Sequence, residues 1–315
     1  MRQGRRVLVV VCPGQGSQTP GFLAPWLELP GVRERAQGIS DACGIDLIAH
    51  GTVSDEETIK DTAVAQPLIV AAGLLTAPAV LGDSRPDLLA GHSVGEITAA
   101  ALAGVLDDAD AVRFVARRAE GMARASADTP TGMSAVLGGD QDAVVAALEA
   151  HGLTPANMNG GGQIVAAGTL EQLAALAADP PAKTRVIPLK VAGAFHTEHM
   201  APALAPLTEL AGQLTAHTPH TPLLSNADGA TLTDGPEVLD RLVRQVTSPV
   251  RWDACMESIR AAGVTGLLEL APAGTLVGLA KRGLKGVETL AVRTPDDLCA
   301  ATDFVAAHTG AGKDR

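Results

Sequence analysis

The chain has 315 residues, of which 46% are hydrophobic and 19% are charged, a composition that excludes a disordered protein or a coiled coil. Its 24 Lys and Arg residues stand against 35 Asp and Glu, a net charge of −11, which repels a phosphate backbone and argues against nucleic acid as a partner. The four cysteines lie far apart without CxxC spacing, which argues against a metal site or a disulfide framework and suits a reducing cytoplasm. We therefore predict a globular, cytoplasmic protein.

Two apolar segments need to be weighed as export or membrane signals. The run Val7–Val11 is too short for the apolar region of a signal peptide, and we interpret it as part of a first strand. The stretch Leu68–Leu81 contains Thr76 and Pro78 and is shorter than the ~18 residues that a membrane span needs. We therefore predict a soluble protein with no membrane contact, and a frayed tail over 309–315.

Predicted strands and helices alternate along most of the chain. Strand-like runs such as Arg6–Cys12 and Leu88–Ala90 alternate with helix-period segments such as Ile97–Val105 and Ala111–Ala125. This alternation predicts an α/β fold with a mainly parallel sheet flanked by helices.

The order of predicted elements changes to βαββαβ between Met133 and Leu189. The predicted elements there are strand Met133–Leu137, helix Asp142–His151, strands Thr154–Asn157 and Gln163–Ala167, helix Leu170–Ala178 and strand Val186–Val191. That order matches a small ferredoxin-like unit inserted into a larger fold. We therefore predict a discontinuous catalytic domain over 1–128 and 196–315, a small subdomain over 129–195, and a ligand site in the cleft between them.

The segment Gly91-His92-Ser93-Val94-Gly95-Glu96 has the G-x-S-x-G form between a predicted strand and a predicted helix, as that motif requires. Its glycines allow a strained turn that exposes the Ser93 Oγ, and the Val94 N–H at the helix start can face a developing oxyanion. Ser93 is therefore a candidate nucleophile. The alternative is an ordinary strand-to-helix turn capped by a serine.

A serine hydroxyl needs a neighbouring base, which is usually a histidine. Six of the eight histidines are set aside. His92 should point away across the turn, His151 should be a solvated helix cap, and four should lie in exposed polar segments: His50, His217, His220 and His308. His196 and His199 remain, where the chain leaves the small unit. The residues alone do not separate these two.

Arg118 occupies an unusual position for a cation. At ~100° per residue it lies on the flank of the buried face of its predicted helix, beside Phe114 and Met122. A guanidinium there keeps its charge and needs an anionic partner, either a protein carboxylate or a substrate carboxylate. The alternatives to a substrate role are a structural ion pair and an arginine that extends to water.

The segment Gly14-Gln15-Gly16-Ser17-Gln18 directly follows the first predicted strand. It lacks both the third glycine of the dinucleotide pattern and the lysine of a P-loop, so neither phosphate motif is supported. Serine α/β enzymes take a second oxyanion donor from a loop after another strand, and a backbone N–H near Gln15 is a candidate for it.

Together these segments resemble the malonyl-CoA:acyl carrier protein transacylase family of fatty-acid and polyketide synthesis, above all its free-standing actinobacterial members. The resemblance covers essentially the whole chain. Its further markers are Gln66-Pro67, Arg118 with Met122, Asn157 and Asn159 before Gln163-Ile164-Val165, Gly193-Ala194-Phe195-His196, Gln245 before Pro249-Val250-Arg251-Trp252, and Gly274-Thr275-Leu276 before Gly278-Leu279. The resemblance implies an α/β-hydrolase-like core with a nucleophile elbow and an inserted ferredoxin-like subdomain.

The resemblance also implies roles for individual residues. Ser93 would be the acylated nucleophile, His196 rather than His199 its base, and the Gln245 backbone carbonyl the group that orients that base. The other implied assignments are an oxyanion hole formed by the Gln15 and Val94 N–H groups, and a substrate-binding set formed by Arg118, Gln66, Phe195 and Asn159. Arg118 would hold the malonyl carboxylate. The family's small residues after the histidine are replaced here by Thr197-Glu198-His199, which leaves the role of His199 open.

The implied activity is that of an S-malonyltransferase. It would move malonyl from malonyl-CoA to the phosphopantetheine thiol of holo acyl carrier protein by a ping-pong course through a malonyl-Ser93 ester, without a metal or a cofactor. The phenylalanine at position 195 resembles the residue found in malonyl-selective members of the family, whereas methylmalonyl-selective members tend to carry a smaller residue at that position. Two alternatives remain: a serine esterase or thioesterase, which has no use for a buried Arg118, and a non-catalytic carrier-protein-binding subunit.

Both implied partners are acidic, as is this chain, so local basic patches would have to override the net charge. The candidates are Lys183, Arg185, Lys190, Arg244, Arg251, Lys281, Arg282 and Lys285. Scattered solubilising charge is the alternative reading of any one of them.

Overall fold

The computed structural model describes residues 5–309; residues 1–4 and most of the predicted frayed tail, 310–315, lie outside it. The strands of the described chain are β1 (Leu8–Cys12), β2 (Leu88–Gly91), β3 (Thr131–Gly138), β4 (Thr154–Gly160), β5 (Gln163–Thr169), β6 (Thr184–Pro188), β7 (Leu223–Leu224), β8 (Thr231–Leu232), β9 (Gly266–Glu269) and β10 (Glu288–Ala291).

The α-helices are α1 (Val32–Cys43), α2 (Leu47–Thr52), α3 (Glu56–Lys60), α4 (Thr62–Leu81), α5 (Gly95–Leu102), α6 (Asp108–Asp128), α7 (Gln141–Ala150), α8 (Leu170–Ala178), α9 (Leu204–Ala211), α10 (Gly235–Arg244), α11 (Trp252–Ala261), α12 (Thr275–Gly283) and α13 (Leu298–Thr309). Short 3-10 helices cover Trp26–Glu28, Glu198–Ala203, Gln245–Thr247 and Pro295–Asp297.

The larger sheet has the strand order β10-β9-β1-β2-β7-β8. Its strands pair in parallel except β7 with β8, which are antiparallel. The central strand β1 is buried along its whole length, as expected of a continuous apolar run in a parallel sheet with helices on both faces. The predicted α/β fold with a mainly parallel sheet is therefore confirmed.

The four strands between Thr131 and Pro188 form a second sheet with the order β4-β5-β3-β6, in which all neighbours are antiparallel. The predicted βαββαβ order is confirmed. The strand ends differ from the prediction: β4 continues past Asn157 to Gly160, with register shifts against β5 on either side of Asn157, and β6 covers Thr184–Pro188 rather than Val186–Val191. The domain boundaries at 128/129 and 195/196 stay a prediction.

The apolar helix α4 is longer than the sequence analysis expected. It covers 20 residues, so Thr76 and Pro78 do not interrupt it, and it is long and apolar enough to cross a membrane by length and composition. The Thr76 hydroxyl is satisfied inside the helix because it donates to the Ala72 carbonyl at 2.8 Å. In the fold, 78% of its most apolar window is buried, and α4 packs against α5 and α6. It is the core helix of the larger unit.

The prediction that His308 is exposed was wrong. Helix α13 packs against the interior strands β1 and β9 of the larger sheet and against α4, and the His308 side chain is fully buried. Its Nδ1 lies 2.9 Å from the Thr265 Oγ1, and its ring packs against Phe304. The polar sequence around His308 concealed this position because only one side of α13 faces the core.

Candidate active site

The turn between β2 and α5 holds Ser93 in a strained conformation. Ser93 has φ of +53°, in the left-handed region that non-glycine residues rarely adopt. A Cβ on Gly91 would come within 2.0 Å of the Gly95 backbone, and one on Gly95 within 2.2 Å of the Cys12 carbonyl. Both flanking residues must therefore be glycine, so that the turn can fold tightly against β1 and lift Ser93 above the sheet.

His196 lies next to this serine. Its Nε2 is 2.7 Å from the Ser93 Oγ, and its Nδ1 is 3.0 Å from the Gln245 backbone carbonyl. A carbonyl only accepts, so Nδ1 carries the ring proton and Nε2 is free to accept from the serine hydroxyl. His199 is three residues further on, half-buried and not part of this contact. The structure thus separates the two histidines that the residues alone left open.

The loop that carries His196 is itself fixed by hydrogen bonds. His196 has φ of +61°, and the Thr197 hydroxyl donates to the Ala194 carbonyl at 2.7 Å, across the turn that contains it. The Ala194 N–H in turn donates to the Thr131 hydroxyl at 3.0 Å, at the start of β3. Thr197, which departs from the family's small residues, therefore closes the turn that aims the histidine.

Arg118 lies on α6 with its side chain buried, 1% exposed, so it does not extend to water. Its guanidinium donates to the Gln66 Oε1 at 2.6 Å and to the Gln245 Oε1 at 2.7 Å, and its Nη2 is 3.4 Å from the Ser93 Oγ. The α6 arginines that form salt bridges in the described chain are instead the exposed Arg113, Arg117 and Arg124. The site therefore presents a buried cation beside the serine, held by neutral amides.

The charges at the site follow from burial. Burial, and then the positive charge of Arg118, lower the pKa of His196 to about 3, so the imidazole is neutral at pH 7. Burial also lowers the pKa of Arg118 to about 10, which still leaves it charged at neutral pH. At pH 7 the site thus combines a neutral base with a fixed cation.

Asn226, a residue that the sequence analysis missed, holds the strained turn. Its Oδ1 accepts from the Ser93 N–H at 2.8 Å, and its Nδ2 donates to the Gly91 carbonyl at 2.8 Å. The side chain therefore bridges the residues on either side of His92. Asn226 follows the short strand β7, 133 positions from Ser93, and no motif in the sequence marks it.

The two predicted oxyanion donors lie beside the serine. Gln15 follows β1 and lines the same cavity as Ser93, while Val94 is the first residue after it, at the N-terminus of α5. Within residues 5–309, neither backbone N–H is donated to another protein group. Both are thus available to an oxygen bound at Ser93.

A cavity of about 760 Å³ opens above Ser93 and His196, between the two sheets. The predicted substrate-binding residues Gln66, Phe195 and Asn159 all line it. Gln66 is held by Arg118, Phe195 is buried, and the Asn159 Oδ1 lies 2.8 Å from the His92 Nε2. The His92 ring therefore faces β4 rather than the Ser93 hydroxyl, although His92 also lines the cavity.

Only some of the predicted basic residues are near this cavity. Lys190 and Arg282 line it, joined by Lys60, which the sequence analysis did not single out. Arg244 and Arg251 are instead paired with neighbouring aspartates, Asp240 and Asp253.

A strained serine after a strand of a mainly parallel sheet, paired with a neutral histidine, defines the class of α/β serine hydrolases and acyltransferases. The comparisons with known proteins place the chain within that class. The family described as "Acyl transferase domain" matches residues 9–297. The chain belongs to the malonyl-CoA:acyl carrier protein transacylase family.

Individual relatives agree with this placement. The chain is 51% identical over 296 residues to the malonyl CoA-acyl carrier protein transacylase of Mycobacterium tuberculosis, covering 93% of this chain and 98% of that protein. The crystal structure of MCAT from the same organism superposes with a TM-score of 0.90, covering 94% of this chain and 99% of that one. A malonyl-transacylase solved in complex with its holo type II PKS acyl-carrier protein superposes with a TM-score of 0.87 at 32% identity, over 94% and 99% of the two chains.

Proposed function

We propose that this enzyme transfers a malonyl group from malonyl-CoA to the phosphopantetheine thiol of acyl carrier protein through a malonyl ester on Ser93. The observation that carries the proposal is the position of the Ser93 Oγ, 2.7 Å from the His196 Nε2 and 3.4 Å from the Arg118 Nη2. The first contact activates a nucleophile, and the second offers a cation to the carboxylate at the far end of the acyl group. An esterase needs only the first of these.

In the first half-reaction, neutral His196 accepts the Ser93 hydroxyl proton as the oxygen attacks the thioester carbonyl. The carbonyl oxygen becomes an oxyanion that the Gln15 and Val94 N–H groups stabilise. When the carbon–sulfur bond breaks, His196 returns the proton to the departing CoA thiolate. The products are free CoA and the malonyl-Ser93 ester.

The second half-reaction repeats these steps in reverse. His196 takes the proton of the phosphopantetheine thiol, the sulfur attacks the ester carbonyl, and Ser93 leaves with the proton returned. The Gln245 carbonyl keeps the same histidine tautomer throughout, so no acidic triad member is required. The chemistry uses the thioester as its only activated group and needs no metal and no separate cofactor.

Arg118, Gln66, Phe195 and Asn159 form the proposed substrate-binding set. Arg118 holds the malonyl carboxylate, and Gln66 accepts one of its guanidinium donors and so limits how it turns. Phe195 occupies the space that an α-methyl group would need, and Asn159 fixes the cavity wall through His92. We further propose that the enzyme works in solution in the cytoplasm, whose reducing conditions suit its free cysteines.

The carrier protein and CoA are acidic. Lys190 and Arg282, the basic residues at the cavity, would bind their phosphate groups. Lys190→Gln should raise the KM for carrier protein, and added salt should raise the wild-type KM steeply. Lys285→Gln is the matched control, since Lys285 is exposed but does not line the cavity. Equal KM values for the two variants would count against this part of the proposal.

Mass spectrometry after mixing with malonyl-CoA tests the reaction itself. We expect one malonyl adduct that maps to Ser93, is absent in Ser93→Ala, and moves to holo carrier protein when that is added. The matched control is Ser84→Ala, which removes a serine from the loop before β2 and should still form the adduct. Release of free malonate faster than malonyl-carrier forms would make the enzyme a hydrolase. No adduct in the wild type would make it a non-catalytic binding subunit.

A further inference from the structure

Glu96 is a buried carboxylate that the proposed reaction does not use. It lies on the first turn of α5, three residues after the proposed nucleophile, and is only 6% exposed. One carboxylate oxygen accepts from the Asn226 N–H at 2.7 Å, and the other accepts from the Gln245 side-chain Nε2. A buried carboxylate destabilises the fold unless its hydrogen bonds compensate for the loss of water around it.

Both of its partners contact the catalytic groups directly. The Gln245 Nε2 also donates to the Ser93 carbonyl at 3.0 Å, its Oε1 accepts from Arg118 at 2.7 Å, and its backbone carbonyl accepts from His196 at 3.0 Å. Gln245 is therefore the one described residue that touches the serine, the cation and the base together. The Gln245 side-chain amide has a donor, Arg118, on one side and acceptors on the other. Its oxygen and its NH₂ group must therefore each face the correct side.

Glu96 reinforces the orientation that Arg118 and the Ser93 carbonyl set. Arg118 can only donate, and Glu96, like the Ser93 carbonyl, accepts. With two acceptors near the Nε2, the amide is held with its oxygen toward Arg118. Asn226, the other partner of Glu96, holds the Ser93 N–H, so one carboxylate braces both sides of the strained turn.

We propose that Glu96 is a positioning residue for malonyl transfer, because its carboxylate fixes the Gln245 amide and through it the Arg118 guanidinium, and fixes through Asn226 the turn that carries Ser93. This inference rests on the proposed function. Glu96 does not touch the substrate, and its effect passes through Gln245 and Asn226.

The two hydrogen bonds to Glu96 depend on its ionisation. Burial raises its pKa and outweighs the hydrogen bonds from Asn226 and Gln245 and the charge of Arg118, which lower it, so the pKa lies at about 8 and the carboxylate predominates only above that pH. Both of its hydrogen-bond partners are donors, so only the carboxylate form satisfies the two together. A glutamine has a similar shape but a single acceptor, so either Asn226 or Gln245 would face an NH₂ group. If Gln245 then turned over, its own NH₂ would face Arg118.

The test compares Glu96→Gln with a matched control, Glu120→Gln, which removes an exposed acid that pairs only with surface arginines of α6. Single-turnover acylation is measured with malonyl-CoA and with acetyl-CoA at pH 9, above the pKa of Glu96. We expect Glu96→Gln to slow malonyl acylation by roughly 10- to 100-fold, as small misplacements of catalytic groups do. The KM for carrier protein should stay the same and the malonyl-over-acetyl preference should narrow. Glu120→Gln should match the wild type.

A double-mutant cycle with Gln245→Ala separates positioning from a loss of fold stability. If Glu96 acts through Gln245, Glu96→Gln should cost little more acylation rate in the Gln245→Ala background; if the two costs add, the inference is overturned. If the glutamine variant does not fold, Glu96→Asp replaces it in the test. The shorter aspartate keeps the charge but does not reach both Asn226 and Gln245. A folded Glu96→Asp with wild-type acylation would also overturn it.

Arg118→Ala, measured beside these variants, keeps the two proposals apart. A wild-type rate in Glu96→Gln, with Arg118→Ala strongly impaired, removes only the role of Glu96. An Arg118→Ala variant that keeps the full malonyl preference removes the proposed function on which that role rests.

Discussion

Replacing Arg118 with alanine should convert a malonyl-preferring enzyme into one that barely distinguishes malonyl from acetyl. The guanidinium is buried and makes its protein contacts with the neutral groups Gln66, Gln245 and Ser93. The Glu96 carboxylate influences it through charge alone, so the malonyl carboxylate would be the anion in direct contact with it. An acetyl group has no carboxylate and gains nothing from this contact.

The size of the effect follows from the number of bonds lost. Of the five N–H donors of a guanidinium, two or three are left for the substrate carboxylate, and each charge-assisted bond contributes about 1.5–3 kcal/mol. The expected loss of about 2–5 kcal/mol for truncating one partner of a buried charge pair corresponds to a fall in kcat/KM for malonyl-CoA of about 30-fold to several thousand-fold. Acetyl transfer should change little.

The assay is a competition between malonyl-CoA and acetyl-CoA at equal concentrations, with the acyl-carrier products resolved by mass. Arg117→Ala is the matched control, because it removes the neighbouring arginine of the same helix, whose side chain is exposed and pairs with Glu120. Arg118→Lys keeps the charge without the planar fork and should fall between the two. If Arg118→Ala is folded by urea titration yet keeps the wild-type product ratio, the carboxylate does not bind at Arg118.

Three further changes have defined outcomes. Because the pKa of His196 is lowered to about 3, kcat/KM for malonyl-CoA should show no acid limb with a midpoint near 6.5, and such a limb would contradict a buried neutral base. The fall expected on acidification is instead centred near pH 8, where the Glu96 carboxylate takes up a proton. The unfolded chain binds a proton at that histidine below about 6.5 and the folded chain does not, so this group's share of the stability is full above pH 6.5 and declines toward pH 3 in urea titrations. Asn226→Ala should destabilise the fold by about 1–3 kcal/mol and slow acylation, since the strained turn loses both bridging bonds; a folded variant with full acylation would refute that. Phe195→Ser should improve methylmalonyl transfer relative to malonyl, within the ~1–3 kcal/mol that one methyl group controls, and an unchanged ratio in a competition assay counts against Phe195 as the selecting residue.

The parts of the site that follow from local sequence were predictable. The glycines around Ser93 and the strand before it define the turn, and the helical position of Arg118 places it on the flank of the buried face, although it left open an arginine that extends to water. Both features depend on residues within a few positions of one another, so periodicity and motif spacing are enough to find them.

The parts of the site that depend on tertiary contacts were not predictable from the sequence. His196 and His199 share one short segment, and only the turn closed by Thr197 decides which of them reaches Ser93. Asn226 contacts the nucleophile turn from a two-stranded extension of the sheet, far away in sequence. The burial of His308 likewise depends on where α13 docks, which the chain's local pattern does not reveal.

The nearness of a fixed positive charge to the base has a consequence for the resting enzyme. The charge of Arg118 disfavours a proton on the His196 imidazole, so His196 is a weaker base and Ser93 a less reactive nucleophile when the pocket is empty. The carboxylate of an arriving malonyl thioester neutralises that charge and makes Ser93 more reactive. The substrate would thus switch on the group that attacks it. A neutral serine-directed phosphonate should accordingly label Ser93 faster when free formate fills the cation's site, and an unaltered labelling rate would show that the two ends of the pocket act independently.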